Sequence, residues 1–493
     1  MLTNSLWITK LRNILVGIFL ILFAQLTLPI FFEWKFNQNF WYIVIAVVFY
    51  FVIVDMEEPR KLARNAFFLI LSFGTVIALI RPVQYALDEE SHLANAIGIS
   101  DSFLFKYSDE QLKDYDSVFL HDSIRNPQNF KGDDYWYNVE HQKSKIAGTP
   151  TSFDNPSFIP GAIGWNIGRL VSNKVYISYY IGRIFHVLAY ALLVFLAIRI
   201  SRVYQNMIYL MGTLPSALYV VSGYHYDYLY YGASLLMIAM LTNVLAEKEK
   251  ITLKYSCLFQ GLAMLLVFSK FPFVLMGSLL AVLPNKYFVS KKVKLFAIFS
   301  FIPVLFLGLV YTGILNIFNF STSVTGKSPG LAYFLLHPLP IIRTMVNAPT
   351  AILNNFVSRP LQYVSHEPMF LAVISMLIFI CLYIWNSIEF QIRVPKKLRL
   401  YLVFLFIGIS FLMVYAITGD PRVYKPGDVL VGGIQGRYYY LMVCFLPILL
   451  PAILPKGVVN RELVDTDNFS KIQQLLISFL TILTVSIGFY IQI

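Results

Sequence analysis

Residues 65–92 read NAFFLILSFGTVIALIRPVQYALDEESH, an apolar run that ends at Arg81-Pro82 and is followed by the acidic cluster Asp88-Glu89-Glu90-Ser91-His92. A run of about 16 apolar residues is close to the length that crosses a hydrocarbon core of about 30 Å as a helix. Comparable runs recur along the whole chain of 493 residues. The composition agrees, since 57% hydrophobic and 13% charged residues do not fit a water-soluble surface. The first run, Asn13 to Phe32, follows Lys10 and Arg12 as a signal peptide would. It lacks a small-residue cleavage site, so it is expected to be a retained span.

The net charge of +12 does not point to nucleic acid, because the bases gather in no single domain or arm. They sit in short loops: Lys10/Arg12, Arg60-Lys61/Arg64, Arg199/Arg202, Lys248/Lys250/Lys254, Lys286/Lys291/Lys292/Lys294, Arg393/Lys396/Lys397/Arg399 and Lys456/Arg461. The positive-inside rule makes these loops cytoplasmic. Cys257, Cys381 and Cys444 lie in apolar runs and offer neither a disulfide framework nor a metal-ligand spacing.

With each basic loop inside, spans fall near 13–32, 40–55, 65–82, 174–199, 206–222, 225–245, a paired segment 255–284, 294–316, 369–386, 399–418, 437–454 and 472–490. The expected fold is an all-α polytopic transmembrane helical bundle of about thirteen membrane segments. Segment 255–284 must enter and return, with its break at Lys270-Phe271-Pro272. Arms of about 14 residues would reach about 21 Å each, short of a full double crossing. The organisation reads as an extra N-terminal helix pair over 1–64, a membrane core over 65–318 with a long external loop 83–173, an amphipathic external segment over 319–368, and C-terminal membrane helices over 369–493 with an external loop 419–436. Within the first loop, Pro156 to Leu170 is apolar and aromatic and is expected along the membrane interface.

The external side carries the residues suited to chemistry. If 89–99 is helical, His92 shares a face with Asp88 and Glu89, a carboxylate and imidazole able to take a proton from a hydroxyl. The plainer reading is an acidic turn that caps the helix. Asp227, in Ser222-Gly-Tyr-His-Tyr-Asp-Tyr, is either a helix cap or a ligand-facing acid. Arg183 and His186 lie inside a span, where charge usually faces a polar cavity, although Arg183 can also snorkel outward. Lys270 and Arg437, the latter after Gln435-Gly436, are cations at the outer boundary that can hold a lipid phosphate or simply anchor the interface. No Walker A loop, dinucleotide-binding glycine pattern, HExxH or paired CxxC occurs, which argues against a nucleotide-driven pump, a zinc protease or a redox enzyme of those types.

These motifs in this order, Leu87-Asp-Glu-Glu-Ser-His92, Asn155-Pro-Ser-Phe-Ile-Pro160, Ile181-Gly-Arg183, Lys270-Phe-Pro272 and Gln435-Gly-Arg-Tyr438, resemble the bacterial family known as domain of unknown function 2142 and, more distantly, the GT-C glycosyltransferases. The resemblance implies an enzyme of the bacterial plasma membrane that passes a sugar from a polyprenyl-phosphate-linked donor to a glycan or lipid-linked acceptor on the external face. It implies Asp88 as general base with Glu89 behind it and His92 in support. By the same analogy Lys270 and Arg437 would hold the carrier phosphate, with Gln435, Arg183 and Asp227 as further candidates to bind donor or substrate. No nucleotide is required, and a divalent metal, Mg or Mn, is a candidate bridge from Asp88 and Glu89 to the phosphate. The chain departs from the family pattern in its two spans before the acidic loop and in Leu87, where proline is common. Competing expectations are a polysaccharide polymerase or ligase with a similar site, a flippase of lipid-linked glycans, for which repeat symmetry and mid-membrane charge are expected, and a non-enzymatic scaffold.

Overall fold

A computed structural model describes residues 2–32, 40–119, 134–311, 334, 336–361, 368–389, 392, 394–418, 420–449 and 466–491. Arg393, Lys456, Arg461 and the stretch 319–333 of the expected amphipathic segment lie outside the described residues. Among the described residues, nine helices are long and apolar enough to cross a membrane, and two shorter apolar helices, Trp41–Ile53 and Gly436–Leu449, accompany them. The protein is an all-α, multi-pass membrane protein.

The chain opens with α1 (Leu2–Phe32), α2 (Trp41–Ile53) and α3 (Leu62–Ile80). All three pack on the last helix, Thr466–Ile491. That contact is polar at its centre: Tyr50 and Ser478 share a hydrogen bond of 2.9 Å, and Asn65 donates to Gln474 at 2.8 Å. Polar side chains inside a bundle are tolerated when each finds a partner across the seam.

Segment 253–282 does double back at Lys270. The α-helix Leu253–Lys270 gives way to a 3-10 helix, Phe271–Val282. Gln260 donates to the Gly277 carbonyl at 2.9 Å, and the Ile251 amide reaches the Tyr287 carbonyl at 2.8 Å, closing the hairpin at its far end. Both arms are longer than the expected length of about 21 Å. The first arm has 18 residues, about 27 Å long. The second has 12 residues, and the 3-10 rise of about 2.0 Å per residue stretches it to about 24 Å. Lys270 therefore stands at the end of the bundle opposite the basic loops.

The basic loops meet one another. Lys286 pairs with Glu247, Lys471 with Glu57 and Lys61 with Asp55, while Asn243 donates to the Ile200 carbonyl. At the other end α3 leads into α4 (Glu89–Ser102), an antiparallel pair β1 (Phe105–Gln111) and β2 (Lys145–Phe153), and the helix Ile159–Val171. Phe105 faces Phe153 and Gln111 faces Lys145 across the two strands. The helix Ile159–Val171 buries Trp165 and leaves Ile159, Ile163, Ile167 and Leu170 exposed. That apolar stripe at helical spacing suits a helix lying in the interface, as the sequence suggests. Further on, Leu339–Val346 tucks Ile341 and Thr344 inward against the helix Lys396–Ile417 and exposes Leu339, Ile342 and Val346.

Candidate functional site

Pro82 cannot extend α3, and the chain turns before α4 begins. Asp88 takes the N-cap position with φ 50°, in the left-handed region. Aspartate is among the few non-glycine residues that enter this region readily. The acidic turn does sit at the positive end of the helix, with Glu89 and Glu90 in its first turn, but the exposed Asp88 side chain makes no cap hydrogen bond among the described residues.

Glu89 goes the opposite way. It is fully buried and receives the Arg183 fork, Nε to Oε1 at 2.9 Å and Nη2 to Oε2 at 2.7 Å. Arg183 also donates to the carbonyls of Ala78, Arg81 and Pro82. Burial pushes the Glu89 carboxyl up, but Arg183 outweighs it and holds the group below its ordinary range. Both partners are thus committed to each other. In this arrangement both Glu89 oxygens face Arg183, and the pair fastens the α3–α4 turn to the span Val175–Ile200.

His92 is also placed differently from the expected Asp88–His92 pair. It points inward, with Nδ1 2.8 Å from the Tyr224 carbonyl. Burial lowers it to about 4, so it is neutral near pH 7, and because a carbonyl only accepts, Nδ1 carries the proton. Its ring lies 4.7 Å from that of His225 and 5.0 Å from Tyr226.

Beyond His92 is a second cluster. The buried Asp227 carboxylate meets Lys270 Nζ at 2.7 Å and Arg437 Nη1 at 3.4 Å. Lys270 Nζ lies 4.9 Å, 5.2 Å and 4.5 Å from the ring centres of Tyr226, Tyr230 and Tyr438, a cation held among aromatic faces. Arg437 Nη1 is 2.8 Å from His225 Nε2, and the Asp227 amide donates to His225 Nδ1 at 3.0 Å. Burial and the Arg437 charge hold His225 well below its ordinary range, hence neutral. A neutral imidazole has one N–H, so it cannot accept from both donors at once. Gln435 Oε1 is buried without a hydrogen-bond partner among the described residues. Gly436 is needed for close approach, because a Cβ there would stand 2.2 Å from the Ala351 carbonyl oxygen.

Asp88 lies within electrostatic range of His92, Lys270 and Arg422. The structure therefore unites Asp88, His92, Asp227, Lys270 and Arg437 at one end of the bundle and sets Glu89 and Arg183 apart as a structural pair. Among the described residues no group of three or more His, Cys, Asp or Glu side chains is placed to hold a metal ion. Asp88 is exposed while both Glu89 oxygens face Arg183, so the two neighbouring carboxylates do not converge.

A family model described as "predicted membrane protein", DUF2142, matches residues 71–450. The chain belongs to the DUF2142 family. No curated protein and no solved structure matches it. All eight candidate residues fall within the DUF2142 segment, which begins inside α3. The likeness to GT-C glycosyltransferases rests on the sequence motifs alone.

In the sequence His225 stands out only as a neighbour of Asp227, two residues before it, and its contact with Arg437 was not foreseen. Sequence reasoning also missed Asp154, just after β2. This carboxyl is buried beside Gly98 of α4, and Lys106 Nζ is its ion-pair partner at 3.4 Å. Burial outweighs Lys106 and pushes the group up to about 6 from an ordinary 3.8. A raised carboxyl favours the fold at low pH, and that contribution is lost as pH climbs from about 4 to about 6. Asp154→Asn is expected to slow amide exchange in β1 and β2 at pH 7 and to leave it unchanged at pH 4. A slower exchange of equal size at both pH values would contradict this account.

Proposed function

We propose that the protein is a glycosyltransferase of the bacterial plasma membrane, with the acidic end of its bundle on the external face. It would take a sugar from a polyprenyl-phosphate-linked donor and pass it to a glycan or lipid-linked acceptor at the cell surface. The observation that carries this reading is the position of Asp88, an exposed carboxylate without a structural hydrogen bond, beside a buried cluster in which Lys270 and Arg437 both lean on Asp227.

The chemistry follows from that pairing. Asp88 accepts the proton of an acceptor hydroxyl as its oxygen attacks the anomeric carbon. The bond from that carbon to the phosphate oxygen breaks, the configuration inverts, and the electron pair leaves on the lipid phosphate. Lys270 and Arg437 stabilise the departing phosphate, the arginine through a forked donor set and the lysine as a point charge. His225 faces two donors and can accept from one, so a phosphate that draws Arg437 toward itself relieves this conflict. The isoprenoid tail meanwhile stays in the bilayer, where the aromatic and apolar walls of the bundle suit it.

Cells that lack the protein test this function. Lipid-linked sugar is expected to accumulate on the outer leaflet, and a surface glycan should be missing one sugar. Accumulation confined to the inner leaflet would instead point to a flippase, and a glycan of normal composition but shortened chains to a polymerase. Unchanged glycans and carriers together would remove the proposal.

A further inference from the structure

A second polar site lies at the far end of α4. A cavity of about 950 Å³ opens between the last turn of α4, the β1–β2 pair and the helix Ile159–Val171. Among its lining residues are Asp101, Tyr107, His141, Ser144, Asn166 and Arg169. We propose that this cavity binds a neutral oligosaccharide, the acceptor strand of the reaction; the acceptor role rests on the transferase reading above, the binding does not.

The walls are fixed from behind. Asp114, fully buried, receives His141 Nδ1 at 2.7 Å, Arg169 Nη2 at 2.7 Å and the Gln142 amide at 2.8 Å. His141 Nε2 meets Ser178 Oγ at 2.8 Å. Arg169 also reaches Asp101, which in turn accepts from Ser144 Oγ at 2.5 Å. Donors and acceptors held this way lose little freedom when a ligand arrives. Asp114, His141 and Ser178 stand in the order of a nucleophile relay, but they form a clasp. Ser178 is fully buried, and a Cβ on Gly168 would lie 2.3 Å from its Cα, so no substrate atom can reach the hydroxyl.

The lining selects the class of ligand. Asp101 and Asp114 balance Arg169 and Lys143, so the cavity has no excess charge to draw an anion or a cation. Carboxylate, amide, hydroxyl and guanidinium groups offer both donors and acceptors at fixed points, which suits vicinal hydroxyls, each a donor and an acceptor. Tyr107 on the wall and Phe103 at the rim, 77% exposed, offer ring faces to the C–H faces of sugar rings. The volume is at the upper end of what small-ligand pockets reach. The 14 residues of α4 span about 21 Å, with Asp88 at one end and the cavity at the other. An extended glycan held in the cavity can therefore present its end to Asp88.

The test uses the full-length protein in detergent and fluorescently labelled oligosaccharides released from the surface glycan of the source cell. Wild type is expected to bind them, whereas Tyr107→Ala combined with Asn166→Ala should bind them about tenfold more weakly or worse. Tyr107 lies outside the clasp and Asn166 touches it through one long 3.5 Å contact from Arg169, and a normal melting profile in detergent confirms that the variant is folded. If wild type binds none of the released oligosaccharides, or if the folded double variant binds as tightly, the proposal is overturned. Binding that follows this pattern without any sugar transfer would keep the cavity as a glycan site and remove the transferase reading instead.

Discussion

Asp88→Asn is expected to reduce sugar transfer by about 10²–10⁴-fold, the range that a positioned general base contributes, while membrane abundance stays normal. The amide has the shape of the carboxylate but cannot take the acceptor proton. Nothing in the local structure should suffer, because Asp88 is exposed, makes no cap hydrogen bond and sits in the left-handed region, which asparagine also enters readily. The measurement is a rate of transfer in isolated membranes, normalised to the amount of protein by immunoblot. A variant with full activity would place the base elsewhere; a variant missing from the membrane would mean that Asp88 is structural.

Glu89→Gln, one position along, should behave in the opposite manner. It leaves Arg183 charged and fully buried without its carboxylate, and breaking a buried pair from one side costs about 3–5 kcal/mol. The protein is expected to be depleted from the membrane, and whatever remains should unfold at lower temperature in detergent. Arg183→Met should do similar damage. Replacing both residues, Glu89→Leu with Arg183→Met, should recover part of the loss, because no unpaired charge is then left in the interior. If Glu89→Gln is as abundant and as heat-stable as the parent, the pair does not fasten the α3–α4 turn.

The two neighbouring acids show what was legible in the sequence. Hydropathy located the long helices, because length and composition are properties of each segment alone. It overcounted the crossings: nine helices among the described residues are long and apolar enough to span rather than about thirteen, and the span expected over 206–222 is two short helices, Gln205–Gly212 and Pro215–Val221. The break at Lys270-Phe271-Pro272 was legible from its segment alone: proline removes a donor at a fixed place. The length of the returning arm was not, since nothing local distinguishes a 3-10 rise from an α rise over Phe271–Val282. Asp88, Asp227, Lys270 and Arg437 were each legible as charged groups at a membrane boundary, and the fold brings them together. Their partners depended on long-range contacts. Glu89 and Arg183 are 94 residues apart in sequence, so the fork that removes both from the candidate site could not be foreseen from helical spacing. The same holds for Asp114, His141 and Arg169, scattered through the loop between two spans and joined only when α4, the strands and the helix Ile159–Val171 pack.

The central claim is most directly tested with the purified protein in liposomes, given a polyprenyl-phosphate-linked sugar and a surface-glycan acceptor. Wild type should form a glycosidic bond whose anomeric configuration is opposite to that of the donor, with release of lipid phosphate, and Asp88→Asn should form almost none. A lipid-linked sugar that crosses the bilayer with no bond formed, or a bond formed equally by the Asp88→Asn protein, would contradict the account.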